Sequence, residues 1–83
     1  MAERTQSELA YSEISHRVLI QEIIPNERLK EETWAKKLSV SRSAIRESLT
    51  RLLGEGLVRA GERGGFFASE LSEREIREIR ELR

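Results

Sequence analysis

Two arginines four residues apart, Arg42 and Arg46, stand in the run Ser41-Arg42-Ser43-Ala44-Ile45-Arg46-Glu47-Ser48-Leu49. Side chains at that spacing share one side of a helix, and Ser41 is well suited to cap a helix beginning at Arg42. Two guanidinium forks, the Ser41 and Ser43 hydroxyls and the unpaired N–H groups of a first turn would then meet at one helix start. Guanidinium forks match guanine O6 and N7 in a major groove, while hydroxyls and backbone N–H groups suit phosphate oxygens. The plainer alternative is a solvated helix face on which Arg46 or Arg51 pairs with a nearby glutamate. Surface arginine is common, so the run by itself favours the plainer alternative.

Other chemistries lack their residues. The chain of 83 residues has no cysteine and a single histidine, His16. That excludes disulfides, zinc–thiolate sites and multi-histidine metal sites, and the expectation is no catalytic residue and no metal. No nucleophile–base pair is visible, so an enzyme is the remote reading. No apolar run has transmembrane length and the N-terminus lacks a signal-peptide core, so the expectation is a soluble, cytoplasmic chain without a membrane partner. Charged residues make up 36% against 37% apolar, enough for one small core surrounded by charged helix.

The formal net charge is zero, but its distribution is uneven. Residues 1–33 carry a balance of −3, residues 34–63 a balance of +4 and residues 64–83 a balance of −1. The basic middle contains Lys36, Lys37, Arg42, Arg46, Arg51, Arg59 and Arg63. A local polyanion site needs such an asymmetry, although clustering on a helical surface would give the same figures.

The elements that must position these residues follow from the punctuation. Ser7 to roughly Ile23 has Tyr11, Ile14, Val18 and Leu19 at helical spacing, with Pro25 as the expected stop. Residues 27–30 are extended at best. Glu31 to Leu38 offers Trp34, Ala35 and Leu38 as a second helical face, with acidic residues at its positive end. Ser39-Val40-Ser41 is a tight turn. In the third helix Ile45, Leu49, Leu52 and Leu53 form the expected buried stripe, with Ser43, Glu47 and Thr50 opposite and Arg46 on the flank. Gly56 suits the left-handed position that closes it.

Leu57–Ala60 and Gly65–Ser69 then read as two strands around the turn Gly61-Glu62-Arg63-Gly64. A narrow hairpin with Arg63 at its tip can enter a minor groove, where negative potential attracts arginine; Gly64 keeps the tip slim. The glycines alone indicate only a hairpin. Phe66 and Phe67 should point to opposite faces, one into the core and one exposed. Trp34 is expected in the core and His16 on the surface. Ser72-Glu73-Arg74-Glu75 is a capping box with Leu71 and Ile76 as its staple. The final helix carries Ile76, Ile79 and Leu82 on one side, a stripe that needs a partner.

Three helices and a hairpin make a winged helix-turn-helix, an α+β, mostly helical fold, followed here by a further helix. The run from Pro25-Asn26-Glu27-Arg28-Leu29 through Ser41-Arg42-Ser43-Ala44-Ile45-Arg46-Glu47-Ser48-Leu49 to Glu55-Gly56-Leu57-Val58 and Arg63-Gly64-Gly65-Phe66-Phe67 resembles the GntR family of bacterial transcription regulators. The ending Leu71-Ser72 to Leu82-Arg83 is similar to the linker helix of the FadR-like (FCD) subgroup. Gln21, Asn26 and Ser39 stand where the family usually has glycine, Ala44 where Pro or Thr is frequent, Trp34 where leucine is usual and Ala68 where a larger aliphatic is.

The resemblance implies a DNA-binding domain over 7–70 and, over 71–83, the start of a linker helix toward an effector and dimerisation domain. The implied function is recognition of a palindromic operator on double-stranded DNA by a homodimer, usually as a repressor. Arg42, Arg46 and Ser43 would face base edges; Ser41 and Arg51, with help from Ser43, would hold phosphates; Arg63 and Gly64 would approach the minor groove. No cofactor is expected in this segment; a small-molecule effector would belong to the C-terminal domain. The alternative is a winged helix used as a protein–protein interaction module.

Overall fold

The computed structural model describes residues 5–81. Its elements are α1 (Gln6–Leu19), α2 (Glu31–Leu38), α3 (Arg42–Glu55), β1 (Val58–Ala60), β2 (Phe66–Ala68) and α4 (Glu73–Glu81). β1 and β2 form an antiparallel hairpin pairing Val58 with Ala68, Arg59 with Phe67 and Ala60 with Phe66. The architecture is the expected winged helix.

One core serves all of it. Ala10, Ile14 and Val18 of α1 join Trp34 and Ala35 of α2, Ile45, Leu49 and Leu52 of α3, and Leu57, Val58 and Ala68 of the hairpin. Two serines are buried with them, and their hydroxyls are satisfied locally. Ser15 Oγ donates to Ser12 O at 3.2 Å and Ser48 Oγ to Ile45 O at 2.7 Å. Leu53 departs from the expected stripe: it is 39% exposed, because it lies about 80° around the helix from Ile45 and falls off the covered face.

The segment read as extended at best adds a third, short partner to the hairpin. Asn26 N–H donates to Ala68 O, Ala68 N–H to Glu27 O and Leu29 N–H to Phe66 O, each at 2.8 Å. Arg28 thereby stands opposite Phe67 in an antiparallel bridge. These bonds tie the wing to the loop that precedes α2, and so to the helices.

α1 begins one residue before the expected start, capped by Thr5, whose Oγ1 accepts from Glu8 N–H at 3.1 Å. It also ends earlier, at Leu19 rather than near Ile23. The cause is Gln21, which adopts φ +61° and turns the chain, so Pro25 lies downstream of the true stop. Ile20 N–H closes on His16 O and Ile23 N–H on Arg17 O, both at 3.0 Å. Asn26 (φ +68°) and Ser39 (φ +56°) are the other non-glycine residues in the left-handed region among those described. These three positions are the ones where the resemblance expects glycine.

Both halves of the α4 capping box form. Glu75 N–H donates to Ser72 Oγ at 3.1 Å and Ser72 N–H to Glu75 Oε1 at 3.2 Å. Leu71, Ile76 and Ile79 are half-buried against the domain's own core, which supplies the partner that the stripe requires. Leu82, the third member of that stripe, lies outside the described residues, as does Arg83. The larger exposed apolar side chains are instead Leu9, Ile20, Ile24 and Leu53.

Backbone strain at the non-glycine turns and crowding at the hairpin predict opposite outcomes. Ser39→Gly and Gln21→Gly should each stabilise the chain by about 0.5–1 kcal/mol, because a left-handed L-residue costs roughly 1–2 kcal/mol and glycine's greater unfolded-state freedom offsets part of the relief. A Cβ on Gly61 would sit 2.5 Å from Phe67 Cε1 and 2.7 Å from Gly64 O. Gly61→Ala should therefore destabilise by about 1–3 kcal/mol. Denaturant unfolding followed by the fluorescence of Trp34 measures both; a Gly61→Ala variant as stable as the parent would refute the crowding.

Candidate nucleic-acid interface

The start of α3 is built from its cap outward. Ser41 is the N-cap, and its Oγ accepts from Ala44 N–H at 3.1 Å. Its own N–H donates to Gln6 Oε1 at 2.9 Å, so the first residue of α1 pins the helix-turn-helix turn from outside. Ser41, Arg42 and Ser43 are all exposed. The Arg42 and Ser43 N–H groups make no hydrogen bond among the described residues. The tip thus presents Arg42, the Ser43 hydroxyl and two backbone donors together, at the positive end of a 14-residue helix.

Arg46 joins this tip while held from behind. Its Nε donates to Glu31 Oε2 at 2.8 Å and its Nη2 to Glu31 Oε1 at 2.9 Å, a bidentate pair between α3 and the first turn of α2. Glu31 has the more enclosed side chain, 17% exposed against 68% for Arg46. The Arg46 hydrogen bond lowers the Glu31 pKa below the usual glutamate value; partial burial opposes this, and the charges of Arg46 and Arg42 reinforce it. The same pair pushes the Arg46 pKa upward. The glutamate-paired alternative for Arg46 is therefore realised, with a partner 15 residues away that helical spacing does not suggest.

Arg51 is not brought to the tip. It lies about 13 Å along the helix from Arg42, with its guanidinium 3.7 Å from the Tyr11 ring centroid and 3.8 Å from Glu55 Oε2. Tyr11 OH donates to the same Glu55. Arg51 thus lies beside α1, though its side chain remains 56% exposed.

In the wing, Gly61 N–H donates to Gly65 O and Gly64 N–H to Gly61 O, both at 3.0 Å. Gly64 and Gly65 have φ +92° and +82°, which makes the tip narrow and leaves Arg63 exposed beside Gly64. Phe66 packs against the core as expected for one of the two phenylalanines. Phe67 is half-buried rather than open, because Arg59 and Arg28 approach its ring at 4.9 and 6.0 Å. Arg59 is anchored in turn by an Nη2 bond to Asn26 Oδ1 at 3.2 Å.

Trp34 is buried with Arg17 and Lys37 near its ring at 5.4 and 4.6 Å, and His16 is on the surface. Arg28 and Lys30 lie beside the tip, on a short extended segment that no helical or strand period assigns to a site. Among the described residues no group of three potential metal ligands forms.

The Glu31–Arg46 pair has a definite pH signature. With a depressed Glu31 pKa, its stabilisation is fully present above the unfolded glutamate value and disappears as pH falls through the lower folded value. A double-mutant cycle of Glu31→Gln and Arg46→Ala should show coupling at neutral pH and none once Glu31 is protonated. Carboxyl NMR should show the Glu31 midpoint rising in Arg46→Ala; an unmoved midpoint would remove the pair as its cause.

Residues 6–68 match the family described as bacterial regulatory proteins, gntR family. The uncharacterised HTH-type transcriptional regulator YdhC of Bacillus subtilis (strain 168) is 41% identical over 59 residues, covering 71% of this chain and 26% of that protein. The Nta operon transcriptional regulator of Aminobacter aminovorans is also 41% identical over 59 residues, covering 71% of this chain and 28% of its own length. The match thus spans little more than a quarter of these curated relatives. Among solved structures, AraR(DBD) in complex with operator ORR3 has a TM-score of 0.69 at 25% identity, covering 83% of this chain and 87% of that one. With its winged-helix architecture and a family match across α1 to β2, this chain belongs to the gntR family of bacterial regulatory proteins.

Proposed function

We propose that this chain is the operator-recognition domain of a transcription regulator, binding double-stranded DNA with the start of α3 in the major groove. The observation that carries this is the exposed tip, where Arg42, Ser43 and two unpaired backbone N–H groups converge, with Arg46 alongside. AraR(DBD), which shares this fold, is bound to its operator in the solved complex. Arg42, Arg46 and Ser43 face bases; Ser41 and Arg51 contact phosphates; Arg63 and Gly64 enter the minor groove.

In the same reading residues 7–70 form the DNA-binding unit, and residues 71–83 open the linker helix of a FadR-like (FCD) regulator. The protein acts in the cytoplasm as a homodimer on a palindromic operator, represses transcription, responds to a small metabolite bound by a C-terminal domain and has no catalytic role. The helical form of α4 supports the linker-helix part of this reading. No helix among the described residues is long and apolar enough to cross a membrane.

Operator selection from a random duplex pool, followed by titration, tests the assignment. Arg42→Ala and Arg46→Ala should each lose about 1–3 kcal/mol on the selected site and relax preference at one base step. Arg63→Ala should weaken binding with little change in preference between G·C and C·G, which the minor groove distinguishes poorly. Unchanged affinity and preference in both α3 variants would refute the assignment of that helix. Lack of any selected sequence, together with salt-insensitive binding to a protein partner, would favour an interaction module.

Dimerisation should act through effective concentration. Joining a parallel dimeric coiled coil after Arg83 should raise affinity for a two-half-site operator by about 10²-fold or more, without changing affinity for one half-site. Equal affinity before and after the fusion would contradict a paired mode of binding.

A further inference from the structure

Several cations of this domain are already committed to carboxylates. Arg17 pairs with Glu13, Lys36 with Glu32, Arg46 with Glu31, Arg51 with Glu55 and Arg74 with Glu78. Arg28, Lys30 and Arg42 make no ion pair among the described residues. All three line one groove of about 290 Å³ between the starts of α2 and α3 and the wing residues Gly65 and Phe66. Glu31 and Glu32 also line it, but each already holds a cation from outside the lining, Arg46 and Lys36 respectively. The groove thus holds three cations without an ion pair beside two carboxylates that are each paired to a cation outside it.

Arg28 is also held in position. Its guanidinium lies 6.0 Å from the Phe67 ring centroid, and its Nε and Nη2 lie 3.4 Å from where a Cβ on Gly65 would be. The bare backbone of Gly65 lets the cation rest against the base of the wing. Its backbone bridge to Phe67 fixes the root of the side chain. A cation placed in advance loses less freedom on binding than a free surface side chain.

In a B-form duplex, a phosphodiester backbone separates the major groove from the adjacent minor groove. A domain with α3 in one and the wing in the other must accommodate that backbone between them, which is where this groove lies. We infer that Arg28 and Lys30, with Arg42 at the α3 side, form a phosphate-binding groove for the strand that passes between the recognition helix and the wing. This assignment rests on the operator-binding reading above and extends it to two residues that no base-reading motif contains. Phosphate contact carries no sequence information, so it operates on any duplex.

The test uses the whole chain and a mixed-sequence duplex of about two helical turns, titrated at salt concentrations from about 50 to 200 mM. Arg28→Met and Lys30→Met each keep an unbranched stem and remove one charge. Each should reduce the slope of log K against log salt by about 0.9, and the double variant by about 1.8. Arg28→Lys should retain the slope. Arg77→Met on α4 should leave it unchanged, which controls for simple loss of net charge.

Thermal unfolding of every variant, followed by Trp34, checks the fold; Lys30, which makes no side-chain bond as the N-cap of α2, can be replaced without disturbing the wing. Weaker binding by Arg28→Met with an undiminished slope, or an unaltered slope in Lys30→Met, would overturn the groove assignment while leaving operator binding intact. An equal fall in Arg77→Met would overturn it too. Salt-insensitive binding by the unmodified chain would remove the operator-binding reading and this inference with it.

Discussion

The close packing of α1 on α3 is the constraint on which the rest depends. It is made by small and apolar side chains on facing positions, including Ala10, Ile14 and Ser15 on one helix and Ile45, Ser48 and Leu49 on the other. Ser48 is buried without leaving a donor unsatisfied, because its hydroxyl turns back onto Ile45 O. A bulkier residue at so enclosed a position would have to displace its neighbours. This packing fixes the axis of α3, and the Gln6–Ser41 bond fixes its starting point. The direction in which Arg42 and Ser43 project is then no longer free.

Net charge conceals the feature that matters electrostatically. The chain is neutral overall, yet its carboxylates are spent unevenly. Glutamates at i, i+4 spacing neutralise Arg17, Lys36, Arg51 and Arg74 on the helices. Such exposed pairs contribute only a few tenths of a kcal/mol each, but they also decide where positive potential is cancelled. The cations without an ion pair among the described residues include Arg42 at the tip of α3, Arg28 and Lys30 in the groove beside it and the exposed Arg63. Neutrality and a local polyanion site are compatible because compensation is local.

Much of this was legible in the sequence, and the exceptions have physical causes. Helical periodicity, the Ser41 cap, Gly56 and the Ser72–Glu75 box are local signals, and each element they mark is present. The end of α1 was misplaced because proline announces itself while a left-handed glutamine does not. Leu53 was misassigned because an apolar residue at the edge of a stripe is buried only if a neighbour reaches it, and that depends on packing. The tip residues Arg42 and Ser43 could be grouped from spacing alone. Glu31 opposite Arg46, and Arg28 across Gly65, could not: both are set by how α2 and the wing dock, at separations that no helical or strand period encodes.

The Glu31–Arg46 pair raises the question of whether an arginine so occupied can read a base, and magnitudes answer it. Arg46 is 68% exposed, so its pairing is largely screened by solvent. A bidentate contact from arginine to guanine is worth roughly 1–3 kcal/mol of discrimination, enough to compete for the guanidinium. Nor need the pair break completely, since Nη1 donates to neither oxygen of Glu31. A guanidinium retained by Glu31 through Nε also has fewer orientations to lose than one on a free side chain, which favours whichever base edge suits the retained geometry. For the proposed base contact, the pair is thus better regarded as a guide for Arg46 than as a competitor with DNA.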